Sequence, residues 1–207
     1  MLSKILEKII RDSLINHFKR NCLLSDKQFG FLPGWSTTIQ LIQVMEDWTK
    51  YLDRGNAVDV VYMDFMKAFD KVSHRHLIQK LQCLGVNVQT VNWIQDFLTD
   101  RSQVVKYQNH ISSATSVISG VPQGTVIGPV AFLSFINDLP EEVVSRQYLF
   151  ADDTKMYREI TSTFDCQQLQ SDIDALEGWS RKWQLQFHPE KCKVMTVGRT
   201  KLYNDAK

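Results

Sequence analysis

The stretch Gln147-Tyr148-Leu149-Phe150-Ala151-Asp152-Asp153-Thr154-Lys155-Met156-Tyr157-Arg158-Glu159-Ile160 decides the fold. Residues 147–151 are a mostly apolar, aromatic run, and residues 155–160 set Met156, Tyr157 and Ile160 among charged side chains. Two such stretches around a short polar break predict a β-hairpin with Asp152-Asp153 at its tight turn. A hairpin argues for an antiparallel sheet. Working outward, Val58 to Phe65 is apolar and β-branched apart from Asp59 and Asp64, which predicts a buried strand, and Val194 to Val197 predicts a last one. Helical patterns alternate irregularly with these strands. The class is therefore α+β, an antiparallel sheet with helices packed on one face.

The helices are legible from period and punctuation. Leu2, Ile5, Leu6, Ile9, Ile10, Leu14 and Phe18 recur at helical spacing, opposite Lys4, Lys8, Arg11, Lys19 and Arg20, a basic face read as solvated. Gly30, Pro33 and Gly34 break the chain. A second helix is expected from Ser36 or Thr37 through Ile39, Ile42, Met45, Trp48 and Leu52, stopped by Gly55. Ser73 caps a third, through Leu77, Ile78, Leu81 and Leu84, which Gly85 ends. A fourth carries Val88, Val91, Trp93, Ile94, Phe97 and Leu98. Residues 101–120 read as two short strands around Asn109-His110, and residues 120–129 are rich in turn formers. An apolar helix over 130–139 follows, and a long one has Leu169, Ile173, Leu176, Trp179 and Trp183 on its inner face.

Composition sets bounds. At 207 residues and 43% hydrophobic, the chain can bury a large domain, or one domain and a small lobe. The net charge of +1 means that any basic groove must be local. Cys22, Cys83, Cys166 and Cys192 lie far apart and form no zinc spacing with the five histidines, so four reduced thiols of an intracellular protein are expected. No signal peptide and no membrane span are read, because charges interrupt every apolar stretch.

The chemistry is in the acids. Asp64 follows one apolar strand and Asp152-Asp153 follow another. An unpaired carboxylate at the end of a buried strand is costly, and adjacent carboxylates repel each other. Two aspartates in a hairpin turn are also ordinary surface residues. If the fold brings the lone acid and the pair together, three hard oxygen ligands can hold two magnesium ions beside a phosphate ester.

Five segments fall in a telling order: Gln28-Phe29-Gly30-Phe31; Asp64-Phe65-Met66-Lys67-Ala68-Phe69-Asp70-Lys71-Val72; Ser119-Gly120-Val121-Pro122-Gln123-Gly124; Phe150-Ala151-Asp152-Asp153; and Phe187-His188-Pro189-Glu190-Lys191-Cys192-Lys193-Val194-Met195. In this order they resemble the reverse transcriptases of non-LTR retrotransposons, the jockey and CR1-like elements in particular, over roughly residues 6–198. The resemblance implies a polymerase palm, residues 58–207, with partial fingers in 1–57 and a contribution to the fingers from 85–118. It implies RNA-directed DNA polymerase activity on an RNA template, with a DNA primer at nicked target DNA and deoxynucleoside triphosphates. A nuclear or cytoplasmic ribonucleoprotein would be its setting.

The same resemblance distributes roles. Asp64, Asp152 and Asp153 would hold two Mg2+ ions. Phe69 would exclude a 2′-hydroxyl, where the bland reading is a core phenylalanine. Phe65, Gln123 and Gly124 would join it at the nucleotide; Gln123 can donate and accept, and the glycines let a ligand approach closely. Lys191 would act as a general acid at the leaving pyrophosphate, with Lys193 the neighbouring alternative. Asp70 is read as a cap on the following helix. Leu32 and Trp35 stand where the family carries basic residues. Counterparts of the family's upstream finger hairpin, thumb and endonuclease are not recognised, so a palm with partial fingers is expected. The competing reading is a catalytically silent module of the same fold that binds nucleic acid or protein. An unrelated metal-dependent phosphodiesterase leaves the motif order unexplained.

Overall fold

The computed structural model describes residues 2–198. Along the chain come α1 (Leu2–Arg20), α2 (Thr37–Asp53), β1 (Ala57–Met63), α3 (Ala68–Lys71), α4 (His74–Cys83) and α5 (Val88–Leu98). Four short strands follow, β2 (Arg101–Gln103), β3 (Lys106–Tyr107), β4 (His110–Ile111) and β5 (Thr115–Val117). Then come α6 (Gly128–Ile136), a 3-10 turn (Leu139–Glu142), β6 (Arg146–Phe150), β7 (Asp153–Ile160), α7 (Thr163–Trp183) and β8 (Lys193–Val197). Among the described residues no helix is long and apolar enough to cross a membrane.

The chain forms two compact units, one of residues 1–24 and 67–136, the other of 25–66 and 137–207. The expected division at 57/58 coincides with neither. Residues 25–57 belong with the sheet, because α2 packs on β1.

In the sheet unit four antiparallel strands run in the order β6-β7-β1-β8. Strand β1 is central and nearly all buried, as its apolar sequence requires. Val58 and Val60 on one face pack with Val44 and Trp48 of α2, and with Phe29, Tyr148 and Tyr157. The Tyr157 hydroxyl donates to Asp47 of α2 at 2.7 Å, tying that helix to the sheet. Val61 and Met63 point the other way, toward Ile173 of α7. Helices therefore cover both faces, not one. The odd-numbered residues of β1 are as apolar as the even ones except Asp59, which accepts from the Thr196 hydroxyl at 2.6 Å.

The helical unit is α1 and α3–α6 with two ribbons, β2-β5 and β3-β4. Leu14, Phe18, Leu77, Leu81, Ile94 and Phe132 fill its core. Two expected faces are corrected. In α1, Leu2, Ile5, Leu6 and Ile9 are exposed while Glu7 is buried. In α2, of the sheet unit, Ile39, Ile42, Met45 and Leu52 are exposed, and Gln40, Val44 and Trp48 face inward. Caps are where local chemistry puts them: Ile39 N–H donates to Ser36 Oγ, and Ser73 caps α4. Asp70 lies within α3 and caps nothing. All four cysteines are free.

Candidate active site

The acids meet by register. Strand β1 pairs antiparallel with β7, and Met63 lies opposite Thr154. The paired ladder ends there, and the next residue on each side is an acid, Asp64 after β1 and Asp153 at the start of β7. Residues directly opposed across two strands share a face, with Cα atoms about 4.5–5.5 Å apart. The β6–β7 hairpin closes at the pair Phe150 and Asp153, so its turn is Ala151-Asp152 and Asp153 opens β7. Asp64 and Asp153 line one cleft of about 690 Å³ on the α2 side of the sheet, with Lys155, Lys191 and Lys193 on its rim.

The fifth motif reaches the same place through the backbone. Met66 N–H donates to Gln186 O at 2.8 Å and His188 N–H to Asp64 O at 2.7 Å, so residues 186–188 run beside 64–66. The Lys191 and Cys192 amides both donate to His188 O, and this turn carries Lys191 back over the acids. Its Nζ lies 2.7 Å from Asp64 Oδ2. Lys193, the alternative, donates its Nζ to Glu190 O at 2.9 Å. The neighbouring acids hold the Lys191 ammonium above the ordinary lysine value, chiefly through the Asp64 hydrogen bond. Half-buried Asp152 is pushed up, first by burial, then by repulsion from Asp153 and Asp64, against its own backbone hydrogen bond and the pull of Lys191.

This donor set suits a hard cation in kind: carboxylate oxygens only, mutually repelling, with Asp152 disfavoured as an anion until positive charge arrives. The Lys191 ammonium sets a positive charge against Asp64. Among the described residues no three acidic, histidine or cysteine side chains stand close enough to hold a metal ion as they are. Asp64 and Asp153 line one cleft, Asp152 is not among the residues lining it, and the three do not close on a common point.

Phe65, expected at the nucleotide, is 2% exposed; its ring stacks on Phe187 at 4.4 Å and lies near Trp179. It belongs to the core. The remaining nucleotide candidates lie in the helical unit. Phe69 is half-buried and stacks on Phe132, centroids 4.3 Å apart and planes at 20°. The third motif is strapped to the end of the second. Gly120 N–H donates to Val72 O, Val121 N–H to Phe69 O, and the Ser119 hydroxyl to Asp70 O. A Cβ on Gly120 would stand 2.7 Å from Asp70 O, and its φ of +91° also calls for glycine. Gln123 Nε2 donates to Asp70 Oδ1 at 3.0 Å. Asp70, Gln123, Lys67, Lys71 and Arg101 line a cleft of about 570 Å³. Gly124, at φ +76°, has open space beside it.

Sequence reading missed two links. The Asp70–Gln123 bond joins residues 53 positions apart, and Gln28 bonds the Ala151 backbone across 123 positions. Motif order alone hinted at either. Trp35 packs edge-on against Phe29 at 4.6 Å.

A palm-like polymerase fold, with its acids at the open ends of adjacent strands, is the class these features define. Residues 1–203 match the family model described as reverse transcriptase (RNA-dependent DNA polymerase), and the chain belongs to that family. Among curated proteins it is 30% identical over 199 residues to the probable RNA-directed DNA polymerase from transposon BS of Drosophila melanogaster, covering 92% of this chain and 22% of that protein. It is 29% identical over 206 residues to the RNA-directed DNA polymerase from mobile element jockey of the same species, covering 94% and 22%. The chain thus spans about a fifth of the length of these relatives. Among solved structures, telomerase from Candida albicans in complex with a fragment of telomeric RNA aligns with TM-score 0.65 at 12% identity, over 94% of this chain and 35% of that one. Apo telomerase from Candida tropicalis aligns with TM-score 0.62 at 9% identity, over 96% and 41%. Those two likenesses concern the fold.

Proposed function

We propose that the chain is the palm and part of the fingers of an RNA-directed DNA polymerase that extends a DNA primer on an RNA template with deoxynucleoside triphosphates. The observation that carries this reading is the register that brings Asp64 and Asp153 to one cleft beside the Asp152 turn. Asp64, Asp152 and Asp153 would hold the divalent cations. Bound there, Mg2+ would lower the pKa of the primer hydroxyl and neutralise the phosphoryl oxygens. Lys191, at the cleft rim, would give a proton to the departing pyrophosphate. Phe69, backed by Phe132, would bar a 2′-hydroxyl, and Gln123 would meet the sugar or the template. Most of the rate would come from placement and charge, since phosphoryl transfer asks for little else. An RNA-dependent task agrees with an intracellular ribonucleoprotein, where four free thiols are stable.

Primer extension on poly(rA)/oligo(dT) with Mg2+ tests the reading. Wild type should incorporate dTTP, and Asp152→Ala with Asp153→Ala should abolish incorporation. Folded wild type that incorporates nothing would leave a second reading, a polymerase-like module that binds without turnover. The packing of Trp35 on Phe29, where the resemblance implies a basic residue, favours that second reading.

A further inference from the structure

The acidic turn is strained, and one buried amide holds it. Ala151 has φ +55° while Asp152 does not share the positive sign, so the strained backbone falls on a residue where glycine is by preference found. An alanine there is disfavoured by its Cβ. Ala151 is also buried, so its peptide groups have no solvent to bond.

Gln28 supplies what is missing. Its Oε1 accepts the Ala151 N–H at 2.9 Å, and its Nε2 donates to Ala151 O at 3.2 Å. The same Oε1 accepts the Gly30 N–H at 2.7 Å. Only one orientation of the amide satisfies all three contacts. Gln28 is 4% exposed. Its own position is fixed from two sides. Phe29 N–H donates to Leu149 O at 2.8 Å and Leu149 N–H to Lys27 O at 2.9 Å, a one-residue parallel bridge that sets the register. The Phe29 ring lies between Trp35 and Tyr148. Gly30 makes the approach feasible, because a Cβ there would stand 2.3 Å from Ala151 N.

We propose that Gln28 is a positioning residue for the acidic turn: it grips both peptide groups of Ala151 and so fixes where Asp152 presents its carboxylate. The first motif thereby serves the fourth. The catalytic side of this inference rests on the polymerase reading; the clamp itself does not.

The test uses the 207-residue chain. Amide hydrogen exchange followed by NMR reads the clamp directly. In Gln28→Met the Ala151 amide should exchange about 10- to 100-fold faster than in wild type. Gln147→Leu, which removes another buried glutamine whose amide atoms have no partner, should leave Ala151 exchange unchanged. In primer extension, Gln28→Met should lower kcat about 10- to 100-fold and move KM for dTTP by less than about twofold. Adding Ala151→Gly, which removes the strain, should restore at least about half of that loss on a logarithmic scale. A Gln28→Met chain with wild-type Ala151 exchange overturns the clamp. A double variant as slow as Gln28→Met overturns the positioning role. If wild type does not extend primers, the polymerase reading falls alone, and Mn2+ titration followed by EPR replaces kcat: an affinity in Gln28→Met within about twofold of wild type then overturns the positioning role. If Gln28→Met does not fold, the Ala151→Gly double variant carries the exchange measurement.

Discussion

Gln123 gives its side-chain N–H to the carboxylate of Asp70 at 3.0 Å, so the loop that offers Gln123 is oriented by the end of the second motif. Three further bonds, from Ser119, Gly120 and Val121, tie the same two segments. Asp70→Ala frees the Gln123 amide without touching its chemistry. We expect KM for dTTP to rise about tenfold with kcat changed less than about threefold, the loss of one charge-assisted hydrogen bond. Gln123→Ala should do the same, and the double variant should be no worse than either single one. Steady-state kinetics of the four chains decides it: effects that add in full mean that the two side chains act separately.

Phe69 stacks on Phe132, which fixes its ring and leaves it half-buried. A rigid aromatic edge is what steric exclusion of a hydroxyl requires. Phe69→Val should admit ribonucleotides, and the preference for dTTP over UTP in kcat/KM should fall about 100-fold. Phe132→Leu, which only loosens the backing, should lower it less. Competition assays with the two nucleotides measure both.

The hairpin of residues 146–160 was readable because β-strand chemistry is local: an aromatic run, a polar break and a second stretch carrying Met156, Tyr157 and Ile160 leave little else to build. Ser36 and Ser73 were readable as caps for the same reason. What failed was the choice of face. Ile5, Ile9, Ile39 and Ile42 have the right period but point outward, while Glu7 and Gln40 are buried. Period tells how wide an apolar stripe is, not which part of it a neighbour covers. Asp153 was read into the turn and in fact opens β7, since positive φ falls on Ala151, a residue with no turn signature. The acids were found because carboxylates beside apolar strands are rare; the Gln28–Ala151 and Asp70–Gln123 bonds were not, because a glutamine and a helix-border aspartate look ordinary until the chain is folded.

Asp165 closes over the start of α7. Its Oδ2 accepts from the Thr161 amide and hydroxyl and from the Ser162 amide, and its Oδ1 accepts from Arg158 at 3.2 Å. Burial pushes this carboxyl up, but the hydrogen bonds from Thr161, Ser162 and Arg158 outweigh it and hold the group at about 2, below the ordinary 3.8. A depressed value means that the folded state favours the anion. The stability this group contributes is complete above pH 4 or so and is lost as pH falls through about 2. Asp165→Ala should therefore cost about 2 kcal/mol at pH 7, and the gap to wild type should close between about pH 4 and pH 2. Urea unfolding across that range measures it; a gap independent of pH would mean that the cost is packing.

Helix α6 is buried along its length except at Pro129, and a charge meets each of its ends. At the N-terminal end Glu7 Oε2 accepts from the amides of Val126 and Ile127, at 2.7 and 3.4 Å. At the C-terminal end the Lys80 ammonium donates to Phe135 O at 2.6 Å. Both charges are nearly inaccessible to water, which is tolerable because each has its sign opposed by the helix dipole and its hydrogen bonds made. Removing either leaves buried peptide groups short of a partner. Glu7→Ala and Lys80→Met should each destabilise by about 1–3 kcal/mol, with Glu7→Gln milder because it still accepts. The two ends lie about 13 Å apart along the axis, so the losses should add within about 0.5 kcal/mol. Denaturant unfolding of the single and double variants checks this. A double variant much less damaged than the sum would mean that losing one end already frees the helix from its socket, and that Glu7 and Lys80 together hold it in place.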